Sequence, residues 1–153
     1  MQVDSGSRRR LVVAAGWLLL LAAVCPATAR AACQVNGDPV AFGTVDLSQR
    51  STGTGRVVVS CDASTAFEVG INAPSGDGDR RMTGPGGAAL AYELYQDAAR
   101  SVAWGEGGGS RPARAGNASA DEPATLTVYG AVPSQVGAPP GEYLAQLQVT
   151  LSF

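Results

Sequence analysis

Apolar residues fall on alternate positions along most of this chain. Val57, Val59 and Cys61 share one face of a first clear strand. Phe67, Val69 and Ile71 alternate with Glu68, Gly70 and Asn72, and Leu90, Tyr92 and Leu94 with Ala91, Glu93 and Tyr95. Leu126 and Val128 alternate with Thr125, Thr127 and Tyr129. The longest run closes the sequence. There Tyr143, Ala145, Leu147, Val149, Leu151 and Phe153 alternate with Leu144, Gln146, Gln148, Thr150 and Ser152, and only Leu144 breaks the polar face. Side chains on a strand point to opposite faces in turn, so this period marks half-buried strands. No stretch of residues 31–153 keeps a 3.6-residue apolar period with helix caps for long.

The pattern predicts six strands, at 34–42, 56–61, 66–72, 88–95, 124–130 and 142–153. Turn residues separate them at 74–79, 84–87, 105–109 and 133–141. The Gly-, Ala- and Ser-rich segment from Gly105 to Pro123 reads as a long, mobile loop. Strands without alternating helices predict one all-β domain, a β-sandwich. A complete immunoglobulin-like sandwich has about seven strands or more. With six, two neighbouring strands are left unpaired and a slot of core stays open. Such a slot is a docking site for a strand from another chain.

The first 30 residues read as a signal peptide and residues 31–153 as the domain. Arg8, Arg9 and Arg10 precede an uncharged apolar run, Leu11 to Val24, and then Pro26 and small residues. That is the order of a secretory leader, and the run is shorter than the roughly 20 residues a membrane span needs. Cleavage fits after Ala29 or after Ala31. The arginines suit a twin-arginine signal as well as a generic basic head. Cys25 leaves with the leader. Cys33 and Cys61 remain, and an even pair in an exported chain reads as a disulfide, with two free thiols as the alternative.

Composition narrows the chemistry. The chain has no His, and all 11 of its Lys+Arg residues are Arg. The commonest general base and metal ligand is therefore absent, as is all lysine chemistry. Removing residues 1–30 takes four Arg and one acid from 11 and 13, leaving 7 and 12, a net charge of −5. Nothing there favours nucleic acid. Asp77-Gly78-Asp79 lacks the spacing of a calcium loop. Gly105 to Gly109 resembles a phosphate loop only in its glycines. Glu93 with Asp97, and Asp121 with Glu122, share no evident cleft. Arg80 and Arg81 read as exposed or locally paired. Asn117-Ala118-Ser119 fits a glycosylation sequon. Tyr92 falls on the core face, whereas Tyr95 and Trp104 are candidates for contact with a ligand or a neighbouring subunit. No enzyme, cofactor or metal site is expected.

Four segments, taken together, resemble the spore coat protein U domain of Csu-type subunits in archaic chaperone–usher pili. They are Cys33-Gln34-Val35 leading to Ala41-Phe42-Gly43-Thr44-Val45-Asp46; Val57 to Cys61; Arg81-Met82 with Leu90 to Arg100 and Trp104-Gly105; and Tyr129 to Pro133 with Gly141-Glu142-Tyr143 and Val149 to Phe153. The likeness covers nearly all of residues 31–153. It implies an incomplete immunoglobulin-like β-sandwich, exported to the periplasm, held by a periplasmic chaperone and passed to an outer-membrane usher. A neighbouring pilus subunit then donates the missing strand, and the product is an adhesive surface fibre or a coat layer. The expected groove residues are Val35, Phe42, Leu147, Val149, Leu151 and Phe153. Only one to three residues separate the cleavage sites from Cys33, so a subunit that accepts a strand without donating one, at a fibre terminus, is expected. A tip adhesin or a secreted glycan- or surface-binding module is the alternative.

Overall fold

The computed structural model describes residues 31–74 and 79–153. The expected leader at 1–30, with Cys25 and the cleavage site after Ala29, lies outside the described residues, as does most of the Asp77-Gly78-Asp79 turn.

Nine strands are present among the described residues: β1 (Cys33–Ala41), β2 (Ser51–Cys61), β3 (Thr65–Asn72), β4 (Arg81–Thr83), β5 (Ala89–Ala91), β6 (Glu93–Tyr95), β7 (Arg114–Ala118), β8 (Ala124–Val132) and β9 (Gln148–Ser152). One sheet has the order β1-β2-β8-β6, a second β7-β3-β9, and β4 and β5 form a two-stranded ribbon. All pairings are antiparallel. The fold is the open all-β sandwich expected. Its core is built from the predicted alternating faces: Val57, Val59, Phe67, Val69, Ile71, Leu90, Leu94, Leu126 and Val128 are all buried.

Four boundaries differ from the sequence reading. β2 starts at Ser51, because Gly53 and Gly55, which give no apolar signal, lie in register with Gly130 and Val128 of β8. The run 88–95 splits at Tyr92, whose N–H turns to Arg80 O at 3.0 Å; β5 then pairs with β4, and β6 with β8. The supposed mobile loop 105–123 contains β7. Its Gly116 packs against Phe67, where a Cβ would stand 2.6 Å from the ring. The final run is strand only over β9. Upstream, Leu144 makes one isolated bridge, to Thr83.

Cys33 and Cys61 face each other across β1 and β2 and are joined by a disulfide. Arg80 is buried rather than exposed. Its Nη1 donates to Glu93 Oε1 at 2.7 Å, and its Nη2 to Ile71 O and Trp104 O at 2.6 Å each. Arg111 closes on the other Glu93 oxygen. Arg81 stays at the surface, 3.5 Å from Asp79.

Sheet edges are covered in two places by groups outside the named strands. Gln135 donates from its amide to Ala91 O and accepts from Ala91 N–H, filling a ladder position beside β5. Residues 102–104 line the edge of β6 through Gln96 N–H to Val102 O and Trp104 N–H to Leu94 O.

Candidate functional site

β1 is an edge of one sheet and β9 an edge of the other. Between them a groove of about 1140 Å³ opens into the core. Gly37 to Leu47 form one wall, and Ala138 to Ala145 with Leu147 and Val149 the other. Val57, Ile71, Leu90, Tyr92, Leu94 and Val128 lie along its floor.

The β1 wall follows from the sequence. Pro39 has no N–H to give a ladder, which suits an edge strand and a bulge. Pairing with β2 slips between Asp38 and Ala41. Val40 within the slip and Phe42 beyond it settle onto glycines. A Cβ on Gly55 would lie 2.7 Å from Val40, and one on Gly130 2.7 Å from Phe42. Phe42 meets Tyr92 edge-on, with centroids 6.3 Å apart. On the opposite wall Tyr143 donates to Pro139 O at 2.7 Å, and its ring covers Gly84. Leu147 is 36% exposed and Leu144 66%, so large apolar side chains stand in water beside a slot of buried ones.

The charged residues of the lining are Asp38, Asp46 and Glu142. Asp38 is held by Arg56 at 2.9 Å on the surface. At the rim, the backbone N–H of Ser48, and then its hydroxyl, hold the Asp46 carboxyl below the ordinary 3.8. On the floor, burial pushes the Tyr92 hydroxyl above its ordinary 10.0, with Arg80 opposing and Glu93 adding to the effect. That hydroxyl is buried and has no hydrogen-bond partner. No group of three or more His, Cys, Asp or Glu among the described residues is placed to hold a metal ion.

Of the residues expected at such a groove, Phe42, Leu147 and Val149 line it. Val35 and Leu151 pack partly buried against the core and are outside the lining. Phe153 is 61% exposed and borders a second, shallower concavity with Phe67, Glu68 and Gly116. Val40, Leu47, Tyr92 and Tyr143 join the lining without having been anticipated. The alternation of Val40 with Phe42, and of Val45 with Leu47, was the available signal.

The two aromatic contact candidates separate. Tyr95 is half-buried and pairs with Tyr129 of β8. Trp104 is fully buried, which removes it from any surface a ligand meets. Its indole N–H donates to Val69 O at 2.9 Å, and Arg114 lies over its ring at 5.6 Å. Its neighbours pair with β6, and that folds the side chain inward.

The family profile of the Spore Coat Protein U domain matches residues 18–150. The chain belongs to that family. No curated protein matches it. Among solved structures, this Spore Coat Protein U domain is similar to a chain of the CsuC–CsuE chaperone–tip adhesion subunit pre-assembly complex, from archaic chaperone–usher Csu pili of Acinetobacter baumannii. The TM-score is 0.53 at 15% identity, with 81% of this chain and 40% of that one covered. The domain thus spans well under half the length of the solved chain, and the likeness is one of fold.

Proposed function

We propose that the protein is a structural subunit of an extracellular adhesive fibre, and that it accepts a donated β-strand in the groove between β1 and β9. The observation that carries this reading is the pairing of two free strand edges with a slot floored by core residues. A strand laid there gains backbone hydrogen bonds at the edges and apolar contacts below. That combination gives β-strand addition both affinity and specificity. The family supports the reading, and so does the solved relative, a complex between a chaperone and a pilus subunit. On this reading the chain is exported to the periplasm, where a chaperone covers the groove. An outer-membrane usher then exchanges the chaperone for a neighbouring subunit. The role is structural, and the driving force is burial rather than bond chemistry.

The test is recovery of folded protein from the periplasm. Co-production of a cognate chaperone, or fusion of an alternating apolar strand to the chain, is expected to convert an aggregating product into a protease-resistant one. Leu147→Asp is expected to abolish that rescue, because it sets a charge in the groove wall. A soluble, cooperatively folding monomer that needs neither addition overturns the proposal.

A further inference from the structure

Tyr92 is the one groove-floor residue whose polar atom is left unsatisfied. Its neighbours on the same face, Leu90 and Leu94, are wholly apolar, and all three line the groove. The residue is 5% exposed, and its hydroxyl has no partner. A buried hydroxyl without a hydrogen bond is costly, and folded proteins seldom keep one. Phe42 abuts the ring from a stretch, Phe42-Gly43, that no strand ladder holds. The side chain packed against the Tyr92 ring, Phe42, thus stands on an irregular segment.

We infer that Tyr92 selects the strand this groove accepts: the donated segment carries one short hydroxyl or amide side chain among its inward apolar residues, and that group bonds the Tyr92 hydroxyl. The inference rests on the proposed groove function and adds the chemistry of the partner. An entirely apolar strand fills the slot and leaves the phenol orphaned. A strand with an acceptor at the matching position fills it and satisfies the phenol, so Tyr92 also fixes the strand's register. A one-residue slip turns the polar side chain away from the groove. A two-residue slip sets it against leucine.

The experiment uses the full chain refolded with synthetic alternating apolar peptides of about 12 residues, long enough to run the groove. Each peptide is paired with a twin in which one inward Val is replaced by Thr, which keeps the shape and adds a hydroxyl. At a single inward position the Thr twin is expected to bind about five- to ten-fold more tightly than the Val twin, the scale of one net hydrogen bond. At the other inward positions Val is expected to win. Tyr92→Phe is expected to erase the Thr preference while still binding the Val peptides. A second readout needs no substitution: the bound Thr twin slows exchange of the Tyr92 hydroxyl proton relative to the Val twin. The inference is overturned if no position prefers Thr, if the preference survives in Tyr92→Phe, or if both twins protect the proton equally. In those cases peptide binding persists and the groove reading stands. If no peptide binds to either protein, both are overturned.

Discussion

Arg80 reaches Glu93 at 2.7 Å from a side chain that is 1% exposed, and in doing so it ties the two sheets together. Glu93 belongs to β6, while the carbonyl of Ile71, bonded by the same guanidinium, belongs to β3. Removing the guanidinium leaves the Ile71 and Trp104 carbonyls buried without their donor, while Glu93 keeps Arg111 as its ion-pair partner. Arg80→Ala is expected to lower the stability of the folded protein by about 3 kcal/mol. Arg80→Lys should recover little of that loss, because a single ammonium cannot reproduce the planar fork on three oxygens. Urea unfolding of the three proteins gives the answer, and near-equal midpoints would refute it.

The β1 wall depends on bare backbone beneath it. A Cβ on Gly53 would stand 2.3 Å from Ala41 O, and one on Gly130 2.7 Å from Phe42. Gly53→Ala meets rigid backbone, whereas Gly130→Ala meets a ring that is able to turn. Both are expected to destabilise by overpacking, in the range of about 1–3 kcal/mol, with Gly53→Ala the worse. Thermal melting should rank them in that order.

The disulfide closes a separation of 28 residues, which corresponds to roughly 3–4 kcal/mol of loop entropy in the unfolded chain. It also anchors the start of β1, one border of the groove. Cys33→Ala with Cys61→Ala is expected to lose about that much stability. It should weaken strand acceptance as well, since the wall is then tethered by its ladder alone. Denaturation and peptide binding measured with and without reductant should show both effects.

Asp97 organises the turn after β6. The backbone N–H of Val102 contributes most to holding its carboxyl below the ordinary 3.8, and the Ser101 hydroxyl and N–H add to this. A folded-state value below the unfolded one stabilises the protein above the unfolded pKa, and that contribution disappears as pH falls through the lowered value. The turn is therefore expected to hold at neutral pH and to loosen only below about pH 4. Asp97→Asn should be less stable at pH 7 and should lose that acid-dependent component. Amide exchange at Ser101 and Val102 across pH 2–6 (roughly the carboxylate range) checks the direction.

Where a strand buries large residues on alternate positions, the sequence announces it. The faces of Val57, Phe67, Leu126 and their partners were legible for that reason, and so was the open sandwich. β7 was not. Arg114-Ala115-Gly116-Asn117-Ala118 offers no large apolar residue, because Phe67 of the neighbouring strand occupies the space above Gly116. Trp104 misled for a related reason: its burial is set by pairing with β6, a contact its own neighbourhood does not encode. At the groove, Phe42, Leu147 and Val149 could be read from their periodicity. Tyr92 was read as core, and only its three-dimensional setting shows that its hydroxyl is stranded. The alternation from Tyr143 to Leu147 is regular, yet ladder pairing begins at Gln148. Leu144 bonds to Thr83 instead, and alternation fixes where side chains point without supplying a hydrogen-bonding neighbour.

The amide of Gln135, clipped to both backbone groups of Ala91, has a consequence for crowding. A bare margin on a sheet is adhesive toward any extended polypeptide, other copies of the same molecule included. One side chain closes that margin at β5, and a returning loop closes it at β6. Those two margins are thereby withdrawn from pairing, while β1 and β9 still gape along one flank. Replacing Gln135 would do little to the interior. It would give the molecule a further place to cling, and copies would begin to join from the wrong side.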